Sequence, residues 1–323
     1  TKTAAQTLTA TLSAAAAATD KVYVSVDDGS NWVDKTSDMT GADPDVSLST
    51  SITLSGSSSI QIKVTDAAGN DGATASTSYT LDQTAPTISF ASVDISADTG
   101  TSDGDFNTKT AGQTLTATLS AAMASDDILK VSVNAGSAWT TVTNDVTGSP
   151  DVSLSTSITL SGSSSIHLQI TDDAGNAGTA DTTSYTLDTA APTLTITIAS
   201  NNADTAQAKS GDVVTLTLEP SETLQGNPAC TIDEEAGTAS ASGDDHLCTL
   251  TLSGDETAGN LAFSVTGGGT FADVAGNNGV ADTSADTGAV NVDLVAPTIT
   301  VSAIEISADT GTSDSDFNTK TAA

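Results

Sequence analysis

Oxygen-bearing side chains dominate this sequence, and their spacing decides which chemistry is open to it. The pentapeptide D-x-A-G-N occurs three times, at Asp66 to Asn70, Asp172 to Asn176 and Asp273 to Asn277. Gly and Asn tolerate positive φ, and an Asp carboxylate can accept from amides two residues on, so each reads as a tight hairpin turn. Each turn also carries a carboxylate and an amide carbonyl, two hard oxygen ligands of the kind calcium takes. A second acidic set is the segment D-T-G-T-S-D-G-D, with Asp98, Asp103 and Asp105, which returns as Asp309, Asp314 and Asp316. Carboxylates this close repel one another unless water or a cation screens them. The segment has neither the Gly nor the Glu of an EF-hand loop in frame. It is a solvated acidic loop or part of a calcium site, and the calcium site is the expectation.

Nothing comparable points to catalysis. The triplet D-T-G at Asp98, Asp286 and Asp309 is shared with aspartic proteases, which embed it in apolar strands; the flanks here are Ser, Ala, Thr and Asp. Gly267, Gly268 and Gly269 lack the following Lys-Ser or Lys-Thr of a phosphate loop. His167 and His246 stand alone, and no serine has a base partner in view. Trp32 and Trp139 occupy equivalent positions and read as sandwich packing. The chain is expected to be no enzyme. Cys230 and Cys248 read as a disulfide, which loop closure would make worth about 3 kcal/mol, with buried free thiols as the alternative.

The elements that must position these residues are set by repetition. TKTAAQTLTATLS at 1–13 returns as TKTAGQTLTATLS at 108–120, and DVSLSTSITLSGSSSI at 45–60 returns unchanged at 151–166. The A-P-T prolines Pro86, Pro192 and Pro297 are 106 and then 105 residues apart, the size of one immunoglobulin-like domain. Within each period apolar residues alternate with Thr and Ser: Leu115, Ala117 and Leu119; Val22, Val24 and Val26; Ile60, Ile62 and Val64. That is a half-buried strand signal, broken by turn residues every 8 to 12 positions or so. The fold predicted is all-β, tandem immunoglobulin-like antiparallel β-sandwich domains in a linear rod. The expected domains are 1–83, lacking a first strand; 84–189; a divergent 190–294 with the cysteines; and 295–323, the first strand and acidic loop of a further repeat. Strand order then brings Asp98, Asp103, Asp105, Asp188 and the Asp273/Asn277 turn toward one inter-domain junction. Asp82 matches Asp188 one repeat earlier.

Composition agrees. Against 41 Asp plus Glu stand 8 Lys plus Arg, a formal net charge of −33. This excludes a nucleic-acid surface and disfavours anionic lipid, and it attracts cations. Aromatics are 3% of the chain, so the cores are expected to be Leu, Ile, Val and Ala. No apolar run reaches the ~18 residues of a membrane span. No signal peptide is visible, and a chain opening on Thr1 is expected to be a window on something longer.

The D-x-x-A-P-T linkers, the D-x-A-G-N turns and the S-x-D-T-G-x-S-x-x-D segment together resemble the bacterial immunoglobulin-like repeats of giant type I-secreted adhesins and biofilm-associated proteins. The likeness covers 1–189 and 295–323; residues 190–294 share only D-V-A-G-N and A-P-T, and SNNADTAQ replaces the acidic loop. The resemblance implies an extracellular, cell-surface stalk rigidified by calcium at its domain junctions, with neighbouring repeats as partners. Two other functions are open: a self-assembling surface-layer, sheath or filament subunit, and a repeat that itself binds carbohydrate or a cell-surface ligand. The strand-like TITVSAIEI at 298–306 matches the first strand that domain 1–83 lacks. It is expected to belong to a chain that continues, with strand donation between copies as the alternative.

Overall fold

In the computed structural model, which describes residues 1–14, 16–41, 46–148, 152–302 and 304, strands account for nearly all regular structure. Two 3-10 turns, Thr36–Asp38 and Thr143–Asp145, are the helical elements among the described residues. The chain divides into two compact units, Thr1–Ala190 with Asp273–Asn277, and Ala191–Ala272 with Asn278–Ala323.

The first unit holds two immunoglobulin-like β-sandwiches built to one plan. In the earlier one, a sheet ordered Ala5–Leu12, Val46–Thr53, Met39–Thr40 faces a sheet ordered Val33–Asp34, Lys21–Ser25, Ser57–Thr65, Ala75–Thr80. In the later one the orders are Val146–Thr147, Ser153–Thr159, Gly112–Leu119, Phe90–Ile95, and Thr140–Thr141, Ile128–Ser132, Ser163–Thr171, Asp181–Leu187, Asn107–Thr108. Pairing is antiparallel except that Asn107–Thr108 runs parallel to Asp181–Leu187. The alternation read from sequence fixes which side chains meet: Leu115, Ala117 and Leu119 are buried, as are Ile166, Leu168 and Ile170.

The two sandwiches differ at one edge. Strand Phe90–Ile95 pairs with Gly112–Leu119, setting Ile95 opposite Leu115 and Phe90 opposite Leu119. The matching strand Ala5–Leu12 pairs only with Val46–Thr53 among the described strands. Its Leu8, Ala10 and Leu12 are accordingly half-buried, where Leu115, Ala117 and Leu119 are at most 4% exposed.

The second unit repeats the sandwich logic with other residues. A sheet ordered Leu194–Ser200, Val213–Pro220, Asp245–Thr251, Thr238–Ser242 accompanies two three-stranded sheets, Gln207–Ala208, Asn291–Val292, Gly259–Asn260 and Glu235–Ala236, Cys230–Ile232, Phe263–Val265. Cys230 and Cys248 are joined in a disulfide that ties two of these sheets, with Cα atoms 6.4 Å apart. Gly237 lies against it, since a Cβ there would sit 2.3 Å from the Cys248 sulfur.

Two expectations about aromatics change. The cores are not purely aliphatic: Phe90, Phe106 and Tyr185 join one, and Phe263 and Phe271 another. A scarce aromatic is the cheapest way to fill the wide parts of a thin core, because each buries a large area. The tryptophans instead cover glycine hairpins on the outside. Trp139 is 37% exposed and edge-on to His167, and the Lys63 ammonium lies 4.5 Å over the Trp32 ring. Residues 298–302 and 304 form no strand, and Ile299, Val301 and Ile304 are 89%, 76% and 73% exposed. No described helix is long and apolar enough to cross a membrane.

Candidate metal centre and repeat junctions

The acidic loop begins where strand Phe90–Ile95 ends, and it is folded by buried polar side chains. Gln113, 4% exposed, accepts the Ala97 amide at 2.8 Å and donates to the Thr110 carbonyl at 2.7 Å. Thr108 Oγ1 donates to the Ala97 carbonyl at 2.5 Å. Asp98 is thereby held inward. Its Oδ2 accepts the Phe106 amide at 2.9 Å, while Oδ1 is buried without a protein donor. Burial first, then the charges of Asp105, Asp103 and Asp94, push the Asp98 carboxyl above its ordinary range. Asp103 and Asp105 are exposed, and Asp105 spends one oxygen on the Asn107 amide at 2.9 Å. Asp98 therefore carries a buried oxygen without a protein partner in the field of three further carboxylates, and no three of the four bring oxygens within 4.8 Å of one another.

Asp94 was not singled out in the sequence, although a signal was present: VDISADTG at 93–100 recurs as IEISADTG at 304–311, with Glu305 at the matching position. Asp309, Asp314 and Asp316 lie outside the described residues.

The three D-x-A-G-N turns are closed by their own residues. Asp66 accepts the Asn70 amide at 2.8 Å on Oδ1 and the Asn70 side-chain Nδ2 at 2.9 Å on Oδ2. Asp172 and Asn176 do the same at 2.7 and 2.8 Å, and Asp273 and Asn277 at 2.8 and 2.7 Å. The Asn side-chain donors hold the carboxyls of Asp66 and Asp172 below the usual range. Each Asn thus turns its nitrogen to the Asp, and the carboxylate serves as a turn staple.

Within the first unit the turns also reach across to preceding segments. Asn176 Nδ2 donates to the Asp82 carbonyl at 3.0 Å, and Asn277 Nδ2 to the Asp188 carbonyl at 2.9 Å. The carboxylates of Asp82 and Asp188 cap their own linkers, each accepting an amide two residues on at 2.9 Å. Lys2 Nζ donates to the Gly175 carbonyl, and Lys109 Nζ to the Gly276 carbonyl at 2.5 Å. Thr99 Oγ1 adds a bond to the Ala275 carbonyl at 2.6 Å. Carboxylate oxygens of Asp188 and the fully buried Asp273 lie within 4.8 Å of each other. Of the expected acidic residues, Asp188 and Asp273 come within ligating distance, while Asp103 and Asp105 act on Asp98 through their charge. The turn Asp66 to Asn70 is exposed.

No protein-family model matches this chain, and no curated protein does. Among solved structures it is similar to SGBP-B of the Bacteroides ovatus mixed-linkage glucan utilization locus, in complex with a mixed-linkage heptasaccharide, at 15% identity and a TM-score of 0.18. That likeness covers 89% of this chain and 64% of that one. It is similar to an ICAM-5 D1-D4 ectodomain fragment at 10% identity and TM-score 0.29, covering 91% and 74% of the two chains. The BSP domain of a biofilm associated protein matches at 11% identity and TM-score 0.21, covering 86% and 60%. Likenesses this weak decide neither family nor function.

Proposed function

We propose that this chain is a length of extracellular structural stalk from a cell-surface adhesin of the bacterial immunoglobulin-like repeat type, with calcium held at its acidic loops. The observation that carries the calcium reading is the buried Oδ1 of Asp98, which has no protein donor and lies in the field of Asp105, Asp103 and Asp94. An all-oxygen, anionic donor set fits a hard cation and does not fit zinc, which takes nitrogen and sulfur. Asp98 would supply the buried ligand oxygen, and the ion's charge would offset the repulsion that Asp105, Asp103 and Asp94 exert there. The spacer role is supported by repetition: a binding face has no reason to recur on near-identical domains.

Chelation tests it. A site filled at a hundredfold excess over Kd stabilises by about 2.7 kcal/mol. EDTA should lower the melting temperature and loosen the particle in small-angle scattering; identical melts and profiles with and without EDTA would remove calcium from the account.

A self-assembling filament is the second reading. Ile299, Val301 and Ile304 are exposed, yet they match Ile88, Phe90 and Val93, which pack on the core of their own repeat. Denaturing gels separate the readings: a very large polypeptide supports a continuous stalk, and a band near 31.8 kDa supports strand donation.

A further inference from the structure

Lysine is scarce in this chain, and its placement is not even. Of the eight basic residues, Lys2, Lys109, Lys209 and Lys320 share one position of the repeat, in T-K-T-A, T-K-T-A, A-K-S-G and T-K-T-A. Half of the positive charge in a chain of net charge −33 is thus committed to a single place. At that place Lys2 and Lys109 do not pair with a carboxylate. Both donate to the backbone carbonyl of the Gly in a D-x-A-G-N turn, Gly175 and Gly276. Those carbonyls are turned outward by a positive φ of 89° at each glycine. The same turns send an Asn Nδ2 back to the carbonyl of a linker Asp, Asp82 or Asp188. The two directions of donation make a closed, reciprocal contact.

We infer that the D-x-A-G-N turn is a docking surface for the lysine-bearing end of the preceding repeat, and that this lysine fixes how one repeat sits on the next. The ammonium does at the turn carbonyl what a bound cation would do: it satisfies the glycine oxygen of the next repeat without being removable. Lys209 is exposed and carries the same group at the same position of the repeat. The turn Asp66 to Asn70, exposed and with the same internal bonds, presents the matching acceptor. At the Lys2 contact the interlock is independent of calcium, since its bonds run between Lys2, Gly175, Asn176 and Asp82 and use none of Asp94, Asp98, Asp103 and Asp105.

The test uses the whole chain, spin-labelled at Thr53→Cys and Ser157→Cys, exposed sites on the two sandwiches of the first unit. Pulsed electron paramagnetic resonance then reads the distance distribution between labels, with and without EDTA. Lys2→Met should broaden the distribution severalfold in both conditions while circular dichroism stays unchanged, and Lys2→Arg should restore most of the narrowing. Lys63→Met removes a lysine of the same sandwich, paired with Asp71, and should leave the distribution as it was. A distribution that stays narrow in Lys2→Met, or that broadens equally in Lys63→Met, overturns the interlock. Either result leaves the calcium reading standing, because that reading fails only if EDTA itself changes nothing.

Discussion

Replacing Asp98 by Asn separates a calcium site from a solvated acidic loop, because the two give effects of opposite sign. In the metal-free chain the Asp98 carboxylate is held in a partly buried place, with one oxygen unpartnered and three carboxylates nearby. Its carboxyl is raised, so its contribution is present at low pH and lost as pH rises through that raised value. At neutral pH the ionised group is therefore a liability. Asn keeps an oxygen for the Phe106 amide and removes the charge. The amide nitrogen takes the place of the unpartnered oxygen, so the gain is the loss of a partly buried charge, worth about 1 kcal/mol. With calcium at a hundredfold excess over Kd, the parent gains about 2.7 kcal/mol and a variant without the buried ligand gains little. Asp98→Asn should then be more stable than the parent in EDTA by about 1 kcal/mol, and less stable in calcium by roughly 1–2 kcal/mol. Denaturant titration would read this, with Trp32→Phe leaving Trp139 to report on the sandwich that carries the loop. The metal-free parent should also gain stability on mild acidification, a dependence the variant lacks. The same sign of effect in EDTA and in calcium would refute the reasoning.

Two further outcomes follow from burial and charge. Leu8 and Leu115 occupy the same position of the same strand sequence, so Leu115→Ala should cost about 3–5 kcal/mol where it is fully buried and Leu8→Ala only about 1–2 where it is half-buried, measured by urea midpoints. Asp27, bonded by Asn31 and Ser25, and Asp34, bonded first by Thr36, have carboxyls lowered to about 2. Their contribution is full above the unfolded carboxylate range and is lost as pH falls toward 2; Asp34→Asn should flatten that acid limb in a circular dichroism titration.

Much of the architecture was legible because its cause is local. Strict apolar alternation in QTLTATL and SIHLQI admits one sheet face, and the structure buries Leu115, Ala117, Leu119, Ile166, Leu168 and Ile170. The turn reading of D-x-A-G-N held for the same reason, since Asp and Asn four residues apart close a hairpin by themselves. What stayed out of view depends on direction. Sequence spacing could not tell that each Asn aims its nitrogen at the Asp, and Asn176 and Asn277 also at a linker carbonyl, which changes the pair from two oxygen ligands into a staple. The role of Asp94 was hidden because it sits in strand Phe90–Ile95, outside the acidic loop, and its charge bears on Asp98 only in the folded chain. Trp32 and Trp139, at equivalent positions of the repeat, read as sandwich packing, whereas each covers a glycine hairpin on the outside.

The divergent segment 190–294 sharpens how the junction chemistry is divided. There the acidic loop is replaced by SNNADTAQ, so the carboxylate cluster built around Asp98 has no counterpart in sequence. Lys209 nonetheless keeps its position beside strand Gln207–Ala208, which runs parallel to Asn291–Val292 as Asn107–Thr108 runs parallel to Asp181–Leu187. The Asp293 amide donates to the Ala208 carbonyl at 3.0 Å, matching the bond from Asp188 to Thr108 at 3.0 Å. A frame that preserves the lysine and the linker carbonyl while discarding the carboxylates treats the two as separable parts. On the proposed calcium reading, chelation should then act on a repeat that carries the acidic loop and leave the lysine contact unchanged, so a distance measured across the Lys2 contact should be the same with and without EDTA.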